Sequence, residues 1–270
     1  MPKVTKITTQ KNNIERYNVY IDQGKGEEFG FGVDEYVLAK FQLRKGQELS
    51  STELTTILHE DTIKKSYNMS LAFLAHRMRS TKEVYTYLIK KELEPEVANA
   101  VIAMLNERKY LNDLEFAKAY VNTQVNTTIK GPNLICQELI EKGISEADIS
   151  TSLQSFDNEQ QLEAAGKYAA KLDQKYKKLA PIMKKQKIQL ALNQKGYAHS
   201  LINRLFETFE LTDDEDQQLE AIRYQGMKAH RRYQKYEGWE YENKMKQSLY
   251  RKGFSMDQIQ AFLEALKEEE

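Results

Sequence analysis

Apolar residues recur at helical spacing along most of the chain, and only the N-terminal segment departs from that pattern. Residues 4–9 are rich in β-branched side chains, Tyr17–Ile21 alternates large apolar residues with polar ones, and residues 29–33 follow a turn signal at Asp22–Gly26. These features predict a small antiparallel sheet. The glycine-rich run at residues 24–32 lacks the Gly-Lys-Ser/Thr ending of a phosphate-binding loop, so a hairpin turn is the favoured interpretation.

Helical periodicity begins at Asp34 and continues to the C-terminus. Four segments share one pattern, in which a helix rich in Leu and Lys is followed by a tight turn and a second helix; they are residues 88–105, 138–156, 192–209 and 249–266. The turns recur at an interval of about 50 residues, which is typical of an array of similar units. An amphipathic helix upstream of each pair completes a unit of three helices.

The turn residue is Glu92 in the first copy, and it is glycine in the others, at Gly143, Gly196 and Gly253. A helix that ends in a left-handed residue favours glycine, because glycine has no Cβ to clash with the backbone. We therefore expect the three glycines to act as structural caps. Asp113 is expected to cap the helix that starts at Leu114.

The sequence thus predicts a mainly α fold, in which tandem three-helix, helix-turn-helix-like repeats form an elongated array with a small N-terminal β-sheet segment. The expected boundaries are residues 1–66 for a β-rich extension with short helices, and residues 67–108, 109–157, 158–210 and 211–270 for repeats one to four.

The overall charge limits the classes of function. The 270 residues include 40 Lys and Arg and 40 Asp and Glu. This balance argues against a protein that coats nucleic acid by charge alone. The charges are nevertheless segregated, since Lys167–Arg204 is strongly basic and Glu207–Glu220 is acidic. Opposed charged surfaces suit a polyelectrolyte or a large charged assembly as partner, although solvated helix faces are the alternative.

The residue types needed for most chemistry are missing or scattered. The single Cys excludes a disulfide within the chain, and none of the four His lies three or four residues from another, so neither a metal nor a cofactor is expected. No paired acid and base, phosphate loop or catalytic triad is evident, so we expect no enzymatic activity. The start of the chain does not resemble a signal peptide, and no stretch approaches the ~20 apolar residues of a membrane helix, which predicts a cytoplasmic protein without a membrane partner.

Several aromatic residues of the C-terminal half lie beside a turn or among basic residues. Trp239 follows Gly238 and is expected to anchor a helix junction. Several tyrosines lie among basic residues, where aromatic rings can stack on nucleic-acid bases, although partial burial in the core is commoner at helical spacing; they are Tyr176, Tyr224, Tyr233, Tyr236 and Tyr241.

Residues 70–156 resemble the RecX family of recombination regulators. Four motifs carry the resemblance in the same order: Ala72–Arg79 followed by Ser80, Tyr110–Asp113, Phe116 with Ala117, and Lys130-Gly131 through Glu138–Ile144. Glu92 departs from the family pattern, which often has glycine there. The two later units are similar to more diverged copies, and the N-terminal sheet resembles the extension of longer members.

The resemblance implies a cytoplasmic regulator of homologous recombination and DNA repair that binds RecA. Members of the family lie in the groove of the RecA–DNA filament and restrain its ATPase and strand exchange. A direct DNA-binding protein that uses helix-turn-helix-like repeats is the alternative. The expected contacts with RecA or DNA are basic residues, namely Arg77, Arg79, Lys130, Lys175, Lys177, Lys178, Lys184, Lys185, Lys187, Arg231 and Arg232.

Overall fold

The computed structural model describes residues 1–212 and 215–269. The chain divides into two compact units. The first contains Met1–Phe116 and Lys142–Ser145, and the second contains Ala117–Glu141 and Glu146–Glu270.

The first unit begins with the predicted antiparallel sheet. Strands β1 (Lys3–Gln10), β2 (Asn13–Asp22) and β3 (Glu27–Asp34) pair in that order. Alternate residues of the strands, including Val19 and Val33, are fully buried against the helices that follow. The β prediction for this segment is therefore confirmed.

Helices α1 (Glu35–Lys40) and α2 (Ser51–Leu74) cover this sheet. The Asp61 carboxylate on α2 accepts hydrogen bonds from Nη1 and Nη2 of Arg16 on β2, at 3.2 and 2.7 Å, and from the backbone N–H of Asp34 at 2.7 Å. Helix α2 continues through the expected boundary at residue 66, so a single helix joins the sheet to the first three-helix repeat.

The remaining helices follow the predicted repeats. They are α3 (Thr81–Lys90) and α4 (Pro95–Glu107); α5 (Asp113–Thr127), α6 (Pro132–Glu141) and α7 (Glu146–Leu153); α8 (Asn158–Lys175), α9 (Pro181–Gln194) and α10 (His199–Thr208); and α11 (Glu215–Tyr233), α12 (Gly238–Tyr250) and α13 (Met256–Glu269). The mainly helical fold of three-helix repeats with a small N-terminal sheet is thus confirmed.

Glycines end the second helix of three repeats in the left-handed conformation. The φ angles of Gly143, Gly196 and Gly253 are 81°, 88° and 86°. The residue after the glycine completes the cap, because the N–H of Tyr197 donates to the carbonyl of Leu192 at 3.2 Å and that of Phe254 to Leu249 at 3.4 Å.

Each of these glycines also lies against the start of the second helix of the preceding repeat. A Cβ added to Gly143 would lie 2.7 Å from the Lys82 Cβ, and one added to Gly253 would lie 2.9 Å from Ile182. At Gly196 the nearest atom is the backbone nitrogen of Leu134, at 2.5 Å. The absence of a side chain therefore serves the packing of one repeat on the next as well as the turn.

The geometry of the turn also explains why a residue other than glycine is tolerated at Glu92. Its φ is 62°, so it adopts the left-handed conformation without being glycine. Its side chain is exposed, in contrast to the tightly packed positions of the three glycines. The departure from the glycine pattern consequently costs only the left-handed backbone, about 1 kcal/mol.

Asp113 does not cap its own helix as expected. Helix α5 begins at Asp113, and Asn112 accepts the N–H of Glu115 at 3.1 Å, which is the bond of an N-cap. The Asp113 carboxylate instead accepts the N–H of Thr81 at 2.8 Å, so it caps α3. The expectation is corrected from a local cap to one between repeats.

Candidate nucleic-acid and partner interface

The eleven basic residues expected to contact RecA or DNA divide into two groups, according to whether the chain already uses their charge. Arg77 belongs to the first group. Its guanidinium forms two hydrogen bonds with Glu83, at 3.0 and 3.2 Å, and Lys142 Nζ lies 3.2 Å from the same carboxylate. Burial would raise the pKa of Glu83, but the hydrogen bonds from Arg77, the Ser80 N–H and Lys142 outweigh it and lower the pKa to about 2. Arg77 therefore helps to hold the start of α3.

Arg79 packs on an aromatic pair. Its guanidinium lies 3.5 Å from the centre of the Phe73 ring, and its Nε donates to the Phe73 carbonyl at 3.0 Å. The Phe73 ring stacks in turn on Tyr87, with centroids 4.0 Å apart and planes 7° apart. This arrangement gives Arg79 a role in joining α2 to α3.

Lys130 is paired as well. Its Nζ lies 2.5 Å from a Glu138 carboxylate oxygen, and the hydroxyl of Tyr120 donates to the other oxygen at 2.8 Å. The adjacent N–H of Gly131 donates to the Lys195 carbonyl at 2.7 Å. An anion at this helix start would have to displace that bond, and the charge of Lys130 already has a carboxylate partner.

Lys184 is a buried residue, with only 2% of its surface exposed. Its Nζ lies 2.9 Å from Asp173 and donates to the Thr212 carbonyl at 2.6 Å. Burial raises the pKa of Asp173, but hydrogen bonds from Thr212 and Lys184 give a net lowering. Because the ammonium group is enclosed and paired, Lys184 cannot contact an external partner in this fold, and that expectation is corrected.

The other candidates form the second group, and we call them the basic surface. All are exposed, all belong to the second unit, and none pairs with a carboxylate in the part of the chain that the structure describes; they are Lys175, Lys177, Lys178, Lys185, Lys187, Arg231 and Arg232. A set of exposed cations without internal partners is suited to a polyanion.

Aromatic rings lie beneath several of these cations. The Nζ atoms of Lys175 and Lys187 are 5.7 and 5.8 Å from the centre of the Tyr176 ring. Lys178 Nζ lies 4.4 Å from that of Tyr224. These contacts bring lysines of α8 and α9 together around one ring and hold another beside α11.

Two residues at the edge of the basic surface were missed by the sequence reasoning. Gln225 donates to the carbonyl of Lys178 at 2.9 Å and accepts from Lys252 Nζ at 2.9 Å. Burial lowers the pKa of Lys252, and the positive charges of Lys228 and Arg232 lower it further. Positive charges are therefore crowded here, which favours an anionic ligand.

A sequence signal for part of this cluster was available. Tyr224, Lys228 and Arg232 follow one another at intervals of four residues, so they share one face of α11. Lys252 had no comparable signal, because its proximity to α11 arises from the packing of α12.

The described residues offer neither a cluster of metal ligands nor a membrane-spanning helix. Within residues 1–212 and 215–269, no group of three or more His, Cys, Asp or Glu side chains could hold a metal ion. Across the same residues, no helix is long and apolar enough to cross a membrane.

Comparison with known proteins matches four parts of the chain to domains of one family. The family model for the RecX N-terminal domain matches residues 2–50, and those for the first, second and third RecX three-helix domains match residues 67–105, 112–153 and 215–263. The basic lysines of α8 and α9 thus lie between the second and third matches.

Full-length relatives and solved structures agree with these matches. The chain is 42% identical over 269 residues to regulatory protein RecX of Bacillus cytotoxicus and 40% identical over 270 residues to that of Bacillus cereus, with 100% of each chain covered in both cases. A crystal structure of regulatory protein RecX covers 77% of this chain and 100% of its own, with 33% identity and a TM-score of 0.69. The RecX structure from Lactobacillus salivarius covers 55% of this chain and 96% of its own, with 30% identity and a TM-score of 0.53. The chain therefore belongs to the RecX family of regulatory proteins.

Proposed function

We propose that this protein regulates homologous recombination and DNA repair in the cytoplasm by binding RecA or the RecA–DNA filament, and that it inhibits the ATPase and strand exchange of RecA. Family membership supports the regulatory role. The observation that carries the proposed contact is the basic surface, whose cations have no carboxylate partner within the described residues. The DNA phosphates of a filament are a partner of matching charge.

Such regulation needs no catalytic residue in this chain. A protein that binds one state of the filament more tightly than another shifts the equilibrium between them by its differential affinity. Bridging or displacing RecA protomers would slow ATP hydrolysis in this way, without any reaction on the regulator. We accordingly propose that the protein is not an enzyme and uses no cofactor.

Direct DNA binding is the second candidate, and the same unpaired cations support it. The two proposals differ in their dependence on salt and on RecA. Binding to bare DNA by phosphate contacts should weaken steeply as salt rises, in the absence of RecA. A filament regulator should act at concentrations too low to occupy bare DNA.

Charge reversal on the basic surface tests the proposed contact. Lys185 and Lys187 are exposed, so the double variant Lys185→Glu/Lys187→Glu should fold normally and require about tenfold more protein for half-inhibition of the RecA ATPase. A matched control is Lys11→Glu/Lys25→Glu, which makes the same change of charge at exposed positions of the first unit.

Thermal unfolding of both variants should match the wild type, because exposed substitutions away from packing contacts change stability little. Undiminished inhibition by the folded Lys185→Glu/Lys187→Glu variant would refute the assignment of the basic surface. An equal loss in both variants would show that net charge, rather than this surface, controls the effect.

A further inference from the structure

Trp239 is the only tryptophan of the chain, and it does not anchor a helix junction as the sequence suggested. It lies in the first turn of α12, and 79% of its surface is exposed. Burial of an indole ring is strongly favourable, so an indole that the fold leaves exposed is available to an external ligand.

The segment around Trp239 is held in place. The hydroxyl of Tyr241 lies 2.8 Å from His230 Nδ1, and the two rings meet edge to face at 5.9 Å. In the connecting turn, the N–H of Tyr236 donates to the Tyr233 carbonyl at 3.0 Å. The His230–Tyr241 contact joins α11 to α12, and the Tyr236 bond tightens the turn at the end of α11, so Trp239 is presented on a fixed support.

Cations and further aromatic rings surround this turn. Lys235 and Lys244 place their Nζ atoms 5.2 and 4.4 Å from the centre of the Tyr236 ring. The Arg232 guanidinium lies 5.5 Å from that of Tyr233. Arg232 and Lys235 are exposed and form no ion pair within the described residues, whereas Lys244 has a partly exposed partner in Glu240 at 3.4 Å.

We propose that Trp239, with Tyr236 beside it in sequence, stacks on the bases of a single-stranded nucleic acid whose phosphates contact Arg232, Lys235 and Lys244. Stacking on aromatic rings combined with phosphate contacts to cations is the usual chemistry of single-strand recognition. A duplex keeps its bases stacked inside, so it offers no free face to the indole.

The carboxylates of the turn set the expected salt dependence. Glu237 and Glu240 are exposed close to Trp239 in the sequence and reduce the local positive charge. We therefore expect only two or three phosphates to be neutralised, which gives a slope of log K against log salt of roughly −1.5 to −2. Stacking should supply the remainder of the affinity, and this part should persist as salt rises.

The single tryptophan makes the test direct. Its fluorescence is measured while the full chain is titrated with an oligodeoxythymidylate of 16 nucleotides, with an abasic oligomer of the same length, and with a duplex. We expect quenching by the thymidylate, and binding of the abasic oligomer that is at least about fivefold weaker. Equal quenching by the abasic oligomer would refute base stacking.

A second measurement uses labelled thymidylate, so it does not depend on the indole signal. Trp239→Ala should reduce its affinity about 5- to 100-fold in fluorescence anisotropy, and the control Lys11→Glu/Lys25→Glu should retain wild-type affinity. Because Trp239 is exposed, its loss should leave the melting temperature unchanged. Wild-type affinity in the folded Trp239→Ala variant would overturn the proposal.

The inference does not depend on the proposed regulation of RecA, and its failure is distinguishable. If RecA alone quenches Trp239 and thymidylate does not, the residue contacts protein, and the single-strand site is refuted while the regulatory proposal stands. If thymidylate quenches Trp239 but the protein leaves the RecA ATPase unchanged, the single-strand site stands and the regulatory proposal fails.

Discussion

Gly196→Ala tests whether the repeats are held together by close contact at their glycine turns. The substitution adds one methyl group at a residue with a φ of 88°, in the second unit. That methyl carbon would lie 2.5 Å from the backbone nitrogen of Leu134 and 2.7 Å from its Cβ. A backbone atom cannot move aside as the end of a flexible side chain can, so the two repeats must separate.

The expected loss in the free energy of unfolding has two main contributions. An alanine in the left-handed conformation costs about 1–2 kcal/mol. Forcing an additional carbon into a close-packed contact costs about 1–3 kcal/mol more. Separation would also stretch the bonds from the N–H groups of Gly131 and Asn133 to the carbonyls of Lys195 and Gly196, at 2.7 and 3.1 Å. The free energy of unfolding should therefore fall by about 2–5 kcal/mol.

Urea unfolding followed by circular dichroism measures this loss, with Gly46→Ala as the matched control. Gly46 has the same φ of 88°, but nothing lies within 4 Å of an added Cβ, so its substitution should cost only the left-handed backbone, about 1–2 kcal/mol. The reasoning would be refuted if Gly196→Ala were as stable as the wild type, or if both substitutions cost the same.

Three further predictions concern residues whose roles the structure assigns. Lys184→Ala should lower the free energy of unfolding by about 3–5 kcal/mol, because it leaves the buried Asp173 carboxylate without its cation, whereas Lys185→Ala should change the melting temperature little. Glu83 has a folded-state pKa of about 2 against 4.5 otherwise, so its contribution is complete above pH 4.5 and is lost as the pH falls toward 2. Allowing for solvent screening, the wild type should lose about 1–2 kcal/mol more than Glu83→Gln over that range, and equal acid sensitivity in urea unfolding would contradict this. Arg79→Ala should lower the free energy of unfolding by about 1–2 kcal/mol through loss of the Phe73 contact, while the folded variant still inhibits the RecA ATPase; normal stability with lost inhibition would identify Arg79 as a partner contact instead.

The repeats could be predicted because their signals are local. Helical periodicity and the glycines at Gly143, Gly196 and Gly253 lie within a few residues of the features they determine. The second role of the glycines, as points of contact between repeats, could not be read locally. It depends on residues such as Lys82 and Leu134, which lie about one repeat away.

The candidate site was predicted less well, because the sequence gives the positions of the charged residues but does not show which of them form ion pairs within the fold. Lys184 was grouped with its neighbours, although it shares four-residue spacing with the buried residues Ile188 and Leu192, which places it on the core face of α9. That signal was present in the sequence. The contact between Asp113 and Thr81 had no such signal, since it joins two repeats.

Trp239 shows the opposite error. A large aromatic residue after glycine at a predicted helix start is usually buried, and here it is exposed. The starts of α3, α6 and α9 lie against glycine turns of another repeat, at Lys82, Leu134 and Ile182. A contact that is distant in sequence, rather than residue type, thus decides whether a helix start is covered.

The measurement that tests the regulatory account most directly is the rate of ATP hydrolysis by RecA on single-stranded DNA, with this protein added at substoichiometric to equimolar ratios. Binding of the protein to the same DNA without RecA is measured in parallel under the same salt conditions. The account predicts half-inhibition at concentrations well below those that occupy bare DNA. No inhibition, or inhibition only where the protein already saturates the DNA, would contradict it and favour a plain DNA-binding protein.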